Sequence, residues 1–183
     1  TSGNGYLYYW SPSSGVLNIA YAVPGGKGEV VGINNLGHIA IRSNGKSYLW
    51  KGEGPAVHLG MLSPEDNTQA YGLNDFDQVV GSGTFALRSN FPFLTTYVAW
   101  LWEDGKGFRI LGDLPGGIYG SGARAINNSG EVIGTSQGCG FAEVFTWTAA
   151  TSMKGTGICI GNPQDINEYG QYCGQASKGT TDA

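Results

Sequence analysis

The sequence predicts an all-β fold, specifically a β-propeller of four blades with four antiparallel strands in each blade. Three observations predict it: a hairpin motif that occurs four times, an aromatic-x-Trp motif that alternates with it, and abundant glycine. Glycine makes up 32 of the 183 residues, yet 40% of the residues are apolar and 12% are aromatic. Glycine scattered among Tyr, Trp, Val and Ile is typical of short strands joined by tight turns. No stretch of about a dozen residues has a 3.6-residue apolar period, so few helices are expected.

The hairpin motif has the same order of residues in every copy. An Ile or Leu precedes an asparagine, a turn follows, and a short apolar strand leads away from the turn. Asn, Asp and Gly suit such turns because they tolerate left-handed backbone conformations. The copies are GINNLGHIAI (32–41), GLNDFDQVVG (72–81), AINNSGEVIG (125–134) and DINEYGQYCG (165–174).

The aromatic-x-Trp motif predicts a third strand in each unit. Residues two apart on a strand share a face, so each pair forms an aromatic ladder on one side of a sheet. Four equivalent copies at one strand position favour packing between neighbouring blades over ligand binding. A fourth strand follows each motif after a glycine-containing turn, as in GFRILG (107–112). The four copies are Tyr8-Tyr9-Trp10, Tyr48-Leu49-Trp50, Trp100-Leu101-Trp102 and Phe145-Thr146-Trp147.

The units together predict a single domain over residues 1–183. Three units are complete, and two complementary halves remain, with strands three and four at the start of the chain and strands one and two at its end. Pairing of these halves would close the ring with a split blade and leave no open sheet edge. An arbitrary fragment of a longer array is the alternative. The predicted units are 28–62, 69–114, 123–157, and 163–178 closing with 5–20.

The repeats resemble the HAF repeat family of extracellular bacterial proteins. The likeness covers nearly the whole chain, and the resemblance implies an exported, repetitive β-protein that is often a module of something larger. Ile41 in place of a glycine, Asp77 in place of the turn glycine, and a weak tail after Trp147 depart from the pattern. The likeness is carried by ARAINNSGEVIG (123–134), AYGLNDFDQVVG (70–81), AWLWEDGKGFRILGDLPGG (99–117) and YLWKGEGPAVHLGML (48–62).

Charge and cysteine content indicate which partners are not expected and in which compartment the protein resides. Only 13% of the residues are charged and the net charge is −4, so no basic cluster is present to neutralise nucleic-acid phosphates. No apolar run approaches a bilayer span, and membrane insertion is not expected. Low charge and few lysines favour an extracellular or secreted protein, in which Cys139 and Cys159 could form a disulfide and Cys173 would stay free.

The sequence contains no convincing catalytic, metal or cofactor motif, and none of these groups is expected. Acid/base or nucleophilic catalysis needs groups that meet in space. His38 lies beside the first asparagine turn and His58 in an outer strand, so the two should be far apart. The segment 74–77 (Asn-Asp-Phe-Asp) resembles part of a calcium loop, but it lacks further acidic positions and a distal bidentate Glu. A hairpin turn stabilised by the Asn side chain is therefore the preferred interpretation.

The candidate binding surface is an insertion between the second and third strands of the second unit. Residues 84–97 (TFALRSNFPFLTTY) have no counterpart in the other units, and loops on a rigid scaffold concentrate binding residues. The same propeller face should carry the connections between blades. The alternative is that the phenylalanines fold back onto the blade or plug the channel. The candidate ligand-binding residues are Phe85, Arg88, Asn90, Phe91, Phe93, Tyr119, Asp66 and Asn67.

Three hypotheses of function follow from these observations. The first is an extracellular, non-enzymatic binding or adhesion module that recognises a glycan or a protein through the loop-rich face. The second is a structural subunit of an extracellular repeat assembly or polymer, which self-associates. The third and weakest is a hydrolase or lyase with a site at the channel mouth.

Overall fold

The computed structural model describes residues 6–62, 67–86, 95–116, 120–137 and 141–177. Within these ranges the chain forms sixteen β-strands and two short 3₁₀ segments, and it contains no α-helix. Consecutive strands pair antiparallel in order along the chain, so each sheet is a simple meander. The predicted all-β class and the three four-stranded antiparallel sheets are confirmed.

The strands form three complete sheets flanked by two hairpins. The N-terminal hairpin is β1 (Tyr8–Ser11) and β2 (Gly15–Asn18), and 3₁₀ segments at Ala20–Ala22 and Pro24–Gly26 follow it. Sheet 1 is β3 (Glu29–Ile33), β4 (Ile39–Ser43), β5 (Lys46–Trp50) and β6 (Val57–His58). Sheet 2 is β7 (Gln69–Leu73), β8 (Val79–Ala86), β9 (Thr95–Glu103) and β10 (Gly107–Gly112). Sheet 3 is β11 (Ser121–Ile126), β12 (Val132–Gln137), β13 (Ala142–Thr148) and β14 (Ser152–Cys159), and the C-terminal hairpin is β15 (Gly161–Ile166) and β16 (Tyr172–Ala176).

The side chain of the repeated asparagine shapes the turn between the first and second strands of each unit. In sheet 2, Asn74 Oδ1 accepts hydrogen bonds from the backbone N–H of Phe76 at 3.0 Å and of Gln78 at 3.1 Å. Asp77 stands where other copies have glycine, and it adopts φ +59°. Asp is among the few residues that enter this left-handed region at modest cost, which explains why the turn survives the substitution.

The same asparagines also connect neighbouring sheets. Asn34 Nδ2 donates to the backbone carbonyl of Asn74 at 3.1 Å, and Asn74 Nδ2 donates to that of Asn127 at 3.0 Å. Asn127 Nδ2 continues the series by donating to the carbonyl of Asn167 at 3.0 Å. We call this series the asparagine chain. Asn34, Asn74 and Asn127 are buried, so these hydrogen bonds are shielded from competing water.

The hydrophobic core is divided into layers that lie between successive sheets. Trp100 and Trp102 of sheet 2 pack with Leu49 and Leu59 of sheet 1, and Trp100 also meets Phe108 edge to face with ring centroids 5.1 Å apart. The next layer joins sheets 2 and 3 through Phe145 and Trp147 and their neighbours. The aromatic-x-Trp pairs of all three complete sheets are at most 6% exposed. The prediction that these pairs pack between sheets is confirmed for them.

The predicted closure of the ring by residues 5–20 and 163–178 is not seen among the described residues and stays a prediction. The N-terminal hairpin and the C-terminal hairpin form separate two-stranded sheets, and no ladder joins them within the described ranges. The N-terminal hairpin packs on sheet 1, where Tyr9 meets Trp50, whereas the C-terminal hairpin packs on sheet 3 through Ile166. Each hairpin is thus packed against the sheet next to it in sequence.

The asparagine chain gives a matched test of how much an inter-sheet hydrogen bond stabilises the fold. Asn74→Asp keeps the oxygen that holds the turn but replaces the donor facing the Asn127 carbonyl with a buried, negatively charged acceptor. We expect a loss of about 2–3 kcal/mol in the free energy of unfolding, measured by urea denaturation at neutral pH. Asn167→Asp is the control, because Asn167 is exposed and its Nδ2 donates only to Gln171 Oε1 within the described residues. A loss at Asn74 no larger than at Asn167, where about 0.5 kcal/mol is expected, would contradict this role.

Candidate ligand-binding groove

The two ends of the sheets carry different connections. The turn end holds the asparagine turns between first and second strands. The loop end is where sheets are connected and where second strands lead into third strands, and the described ends of the insertion, 84–86 and 95–97, lie there. The β8–β9 ladder runs to the pair Ala86–Thr95, and Tyr97 forms a parallel bridge with Gly120 at the start of β11. The base of the insertion therefore lies beside the connection that enters sheet 3.

The structure describes two of the predicted ligand-binding residues. Phe85 lies in β8 opposite Thr96, at the loop end of sheet 2. Asn67 is exposed at the same end, and its backbone N–H donates to Thr84 Oγ1 at 3.3 Å. The remaining residues lie outside the described residues, and their binding role stays a prediction: Asp66, Arg88, Asn90, Phe91, Phe93 and Tyr119.

Two adjoining cavities follow the gap between sheets 2 and 3. One, of about 250 Å³, opens at the loop end, and the other, of about 200 Å³, reaches the first strands of sheets 2 and 3 and of the C-terminal hairpin. They share Ser82, Gly122 and Thr135, and we call them together the polar groove. Its lining combines hydroxyl, amide and guanidinium groups with two tyrosine rings. The lining residues are Tyr71, Ser82, Tyr97, Gly120, Ser121, Gly122, Ala123, Arg124, Thr135, Ser136, Gln137, Ala142, Asn162 and Pro163.

A β-bulge at the same place in every first strand positions the side chains at the inner end of the groove. The register between first and second strands shifts by one residue just before the repeated Ile/Leu-Asn in all four copies. The extra residue of a bulge is left out of the ladder, and the local bend re-aims its side chain. The four bulged residues are Val31, Tyr71, Arg124 and Gln164.

Three of the bulged side chains join Arg42 in a row across the sheets. The guanidinium carbons of Arg42 and Arg124 lie 4.8 Å and 5.2 Å from the centre of the Tyr71 ring. Arg124 Nη2 donates to Gln164 Oε1 at 3.1 Å. We call these four residues the arginine–tyrosine row. Such cation–π contacts hold the guanidinium planes in fixed orientations while leaving their remaining N–H groups available.

The two arginines of the row differ in charge compensation. Arg42 Nη2 forms an ion pair with Glu29 at 2.7 Å. Arg124 makes no ion pair with any residue in the described part of the chain, and its side chain is half-buried in the groove lining. A half-buried guanidinium with a neutral partner can still donate to oxygen acceptors of a bound ligand.

The residues considered for acid/base chemistry lie away from the polar groove. His38 Nδ1 lies 2.8 Å from Asp77 Oδ1 at the turn end. His58 lies in β6, the outermost strand of sheet 1, and its ring contacts that of Tyr48 at a tilt of 44° with centroids 5.1 Å apart. Burial, aided by the nearby Lys46 charge, lowers the pKa of His58. None of the residues lining the groove is His, Asp or Glu, so that lining has no conventional acid/base pair.

The carboxylates of the segment 74–77 serve neighbouring turns. Asp75 accepts from the backbone and side-chain N–H groups of Asn35, both at 2.8 Å, and from Asn128 Nδ2 at 2.8 Å. Asp77 accepts from Asn34 Nδ2 at 3.0 Å. Across the described ranges, no group of three or more His, Cys, Asp or Glu residues is placed to hold a metal ion. The geometry is that of hydrogen-bonded hairpin turns.

The cysteines fall into two chemical states. Cys159, at the end of β14, is bonded in a disulfide, whereas Cys173 in β16 is an exposed free thiol. Cys139 lies outside the described residues, so the pairing Cys139–Cys159 stays a prediction.

A scan against protein-family models gave no match, and neither did searches of curated proteins and of solved structures. The resemblance to the HAF repeat family therefore stays a prediction. In the described part of the chain, no helix has the length and apolar character that a membrane crossing requires.

The sequence reasoning missed the residues at the inner end of the groove. Tyr71, Arg124 and Gln164 occupy one position in the repeat, three residues before the asparagine, and the first unit has Val31 there. A large polar residue at a position of otherwise apolar strands was the available signal. This signal could not be interpreted without knowledge of the bulge. Strict alternation places the position on the same face as the Ile or Leu that directly precedes the asparagine, so its side chain would be expected to point the same way.

Asp75 gives a test of how protonation affects the links between turns. Hydrogen bonds from the backbone and then the side chain of Asn35, and from the side chain of Asn128, hold the pKa of this carboxyl below its ordinary range. A depressed pKa in the folded state adds stability that is present above the unfolded pKa and is lost as the pH falls through the folded pKa. We expect Asp75→Asn to lower the urea midpoint above about pH 5, and the difference from wild type to shrink below about pH 3.

The control for this experiment is Glu53→Gln, because Glu53 is an exposed carboxylate on the 51–56 turn. Its midpoint should follow that of the wild type at both pH values. A constant difference between Asp75→Asn and wild type from pH 7 to pH 3 would contradict the role assigned to the ionised carboxylate.

Proposed function

We propose that the chain is an exported, non-enzymatic binding module whose sheets are propeller blades, and that it binds a glycan in the polar groove. One observation carries the proposal: a continuous groove runs from the loop end to the arginine–tyrosine row, and its lining combines hydroxyl, amide and guanidinium groups with tyrosine rings and small apolar residues. Binding sites typically combine a concave shape with a few convergent polar groups.

The lining suits a sugar because sugars offer many hydroxyl groups and flat apolar ring faces. Ser82 and Thr135, which are half-buried in the lining, can each donate and accept, and this matches sugar hydroxyl groups in either role. Tyr97 is 56% exposed at the mouth of the groove and offers an aromatic face against which a sugar ring can stack. Arg124 at the inner end favours a sugar with a carboxylate or another acidic substituent.

The propeller interpretation is supported by the arrangement of the sheets. Each complete sheet is a four-stranded antiparallel meander, and the first strands of successive sheets lie side by side. That order, with turns at one end and connections at the other, is how propeller blades are built. The groove then corresponds to the gap between two blades where it opens toward their first strands.

An extracellular location is supported by the chemistry of the chain. The disulfide at Cys159 is of the kind that persists in oxidising compartments. The sparse charge and the absence of acid/base residues from the groove lining favour recognition over catalysis. A protein ligand on the same face is the competing possibility, and the binding experiment separates the two.

The experiment compares variants on an array of neutral and uronic-acid-bearing oligosaccharides. We expect wild-type binding to be strongest to acidic oligosaccharides, and Arg124→Ala to weaken it by about ten-fold or more, as expected for a lost charge-assisted hydrogen bond. Tyr97→Ala should lower the affinity for neutral and for acidic oligosaccharides alike, because it removes a stacking face rather than a charge.

The matched control is Tyr169→Ala, which removes a tyrosine that is 88% exposed at the turn end, away from the groove. It should bind like the wild type. If the folded wild-type protein bound no oligosaccharide on the array, or if Tyr169→Ala lost as much affinity as Tyr97→Ala, the proposed glycan site would be wrong.

A further inference from the structure

The N-terminal hairpin exposes an aromatic pair that every complete sheet buries. Tyr8 is 61% and Trp10 is 58% exposed, whereas the equivalent residues of sheets 1 to 3 are at most 6% exposed. The equivalent strands are central in their sheets, with a second strand on one side and a fourth strand on the other. In the N-terminal hairpin, β1 pairs with β2 alone among the described strands, so its other edge and its aromatic face are both uncovered.

The C-terminal hairpin exposes the complementary surface. β16 pairs with β15 alone among the described strands, so the edge that meets a third strand in the complete sheets is open. Beside this edge lies a cavity of about 150 Å³, which we call the socket. The socket is bounded by Tyr172 and Gly174 of β16 and by Val144 and Ile158 of sheet 3. It occupies the place where the aromatic-x-Trp strand of a further sheet would pack.

The register of the complete sheets specifies how the two surfaces fit. In sheet 2, Val79 lies opposite Trp102 and Gly81 opposite Trp100, and in sheet 3, Gly134 lies opposite Phe145. A Cβ atom on Gly81 would lie 2.5 Å from the Trp100 ring, and one on Gly134 would lie 2.7 Å from the Phe145 ring. In sheets 2 and 3 the glycine therefore leaves room for the aromatic ring and also for a first-strand carbonyl, which a Cβ atom would approach to 2.0–2.1 Å, whereas sheet 1 has Ile41 opposite Tyr48.

Gly174 is the equivalent glycine in β16, and it has no aromatic ring over it. The atoms nearest to a Cβ built there belong to the backbone of β15, with the Asn162 carbonyl oxygen at 2.5 Å. By the register of sheets 2 and 3, Gly174 would lie opposite Tyr8, Cys173 opposite Tyr9, and Tyr172 opposite Trp10. The exposed aromatic pair and the uncovered glycine are therefore complementary.

The asparagine chain is open at the same two places. Asn167 Nδ2 donates to Gln171 Oε1, and no sheet in the described part of the chain offers it a next carbonyl. At the other end, the Asn34 carbonyl accepts the turn N–H of Gly37, and no asparagine amide among the described residues donates to it. Each asparagine amide donates to the turn carbonyl of the following sheet. Asn167 has no following sheet among the described strands, and the Asn34 carbonyl is an acceptor of the type that it would need.

We propose that the N-terminal hairpin of a second copy of this chain completes the sheet that β15 and β16 begin, so that copies join head to tail. Strand β1 of the second copy pairs with β16, Tyr8 and Trp10 enter the socket, and Asn167 donates to the Asn34 carbonyl of the second copy. A second copy is favoured over the same chain because, in the structure of the single chain, β1–β2 and β15–β16 remain separate two-stranded sheets and the described strands leave both edges unpaired. This inference goes beyond the proposed glycan site and does not depend on it.

The register gives a direct test, because it places the free thiol of Cys173 opposite Tyr9. Antiparallel partners have Cα atoms about 4.5–5.5 Å apart, which is within disulfide range. Tyr9→Cys should therefore form intermolecular disulfides with Cys173 under mild oxidation, seen as dimers and larger species on non-reducing gels. The control is Tyr9→Cys combined with Cys173→Ser, which should stay monomeric on the same gel.

A second measurement keeps the test independent of any loss of packing at Tyr9. The weight-average mass of the wild-type protein should rise with concentration in sedimentation equilibrium, and Trp10→Ser should weaken this association by about ten-fold or more. Tyr169→Ser, which removes an even more exposed aromatic ring (88% against 58% for Trp10) at a turn, should associate like the wild type.

The outcomes separate the alternatives. Crosslinked species larger than one chain, together with concentration-dependent mass, support head-to-tail pairing. A disulfide confined to single chains would show closure within one molecule and overturn the proposal. A wild-type mass that stays that of one chain at every concentration, without crosslinking of Tyr9→Cys in a folded sample, would also overturn it.

Discussion

The hydrogen bond from one turn asparagine to the next turn backbone is the constraint on which the rest of the structure depends. The asparagine oxygen holds its own hairpin, while its amide nitrogen sets the distance to the next sheet. Both tasks need a short side chain that accepts at one atom and donates at the other. Aspartate lacks the donor, and glutamine carries its amide one methylene further from the backbone. This explains why the turn glycine can vary, as at Asp77, while the asparagine is present in all four copies.

Fixing the turn ends of the sheets in this way leaves the aromatic pairs to fill the space between sheets. Trp100 reaches across Gly81, and Phe145 reaches across Gly134, so a large ring and an absent side chain are used together. Close packing of this kind makes the layer between two sheets intolerant of extra volume. In the first strand of each unit, the bulge takes one residue out of the packed layer. Tyr71 and Arg124 can therefore differ from Val31 without disturbing the core, and the scaffold can vary its groove at those positions.

Much of this fold could be predicted from the sequence because the repeat states it four times. The spacing of Asn127, Gly130 and Gly134 indicates a hairpin, and the later Phe-x-Trp indicates the third strand. The relation between the first and last hairpins could not be predicted by counting units. The angle between neighbouring sheets depends on the side chains packed between them, and small differences in that angle accumulate from sheet to sheet. The inner groove residues were also beyond prediction, since a bulge changes the register without leaving a distinctive residue in the sequence.

The polar groove and the surfaces proposed to join two copies are related through the direction of the asparagine chain. The arginine–tyrosine row crosses the sheets in the same order as the asparagines, from Arg42 and Tyr71 to Arg124 and Gln164. If Asn167 donates to the Asn34 carbonyl of a second copy, the repeat places Val31 of that copy at the next position of the row, beside Gln164. Assembly would then extend the line of bulged residues from copy to copy, with an apolar residue at each junction. A linear polysaccharide that spans two copies would gain affinity from the second contact without any new chemistry, because the second binding event would be intramolecular.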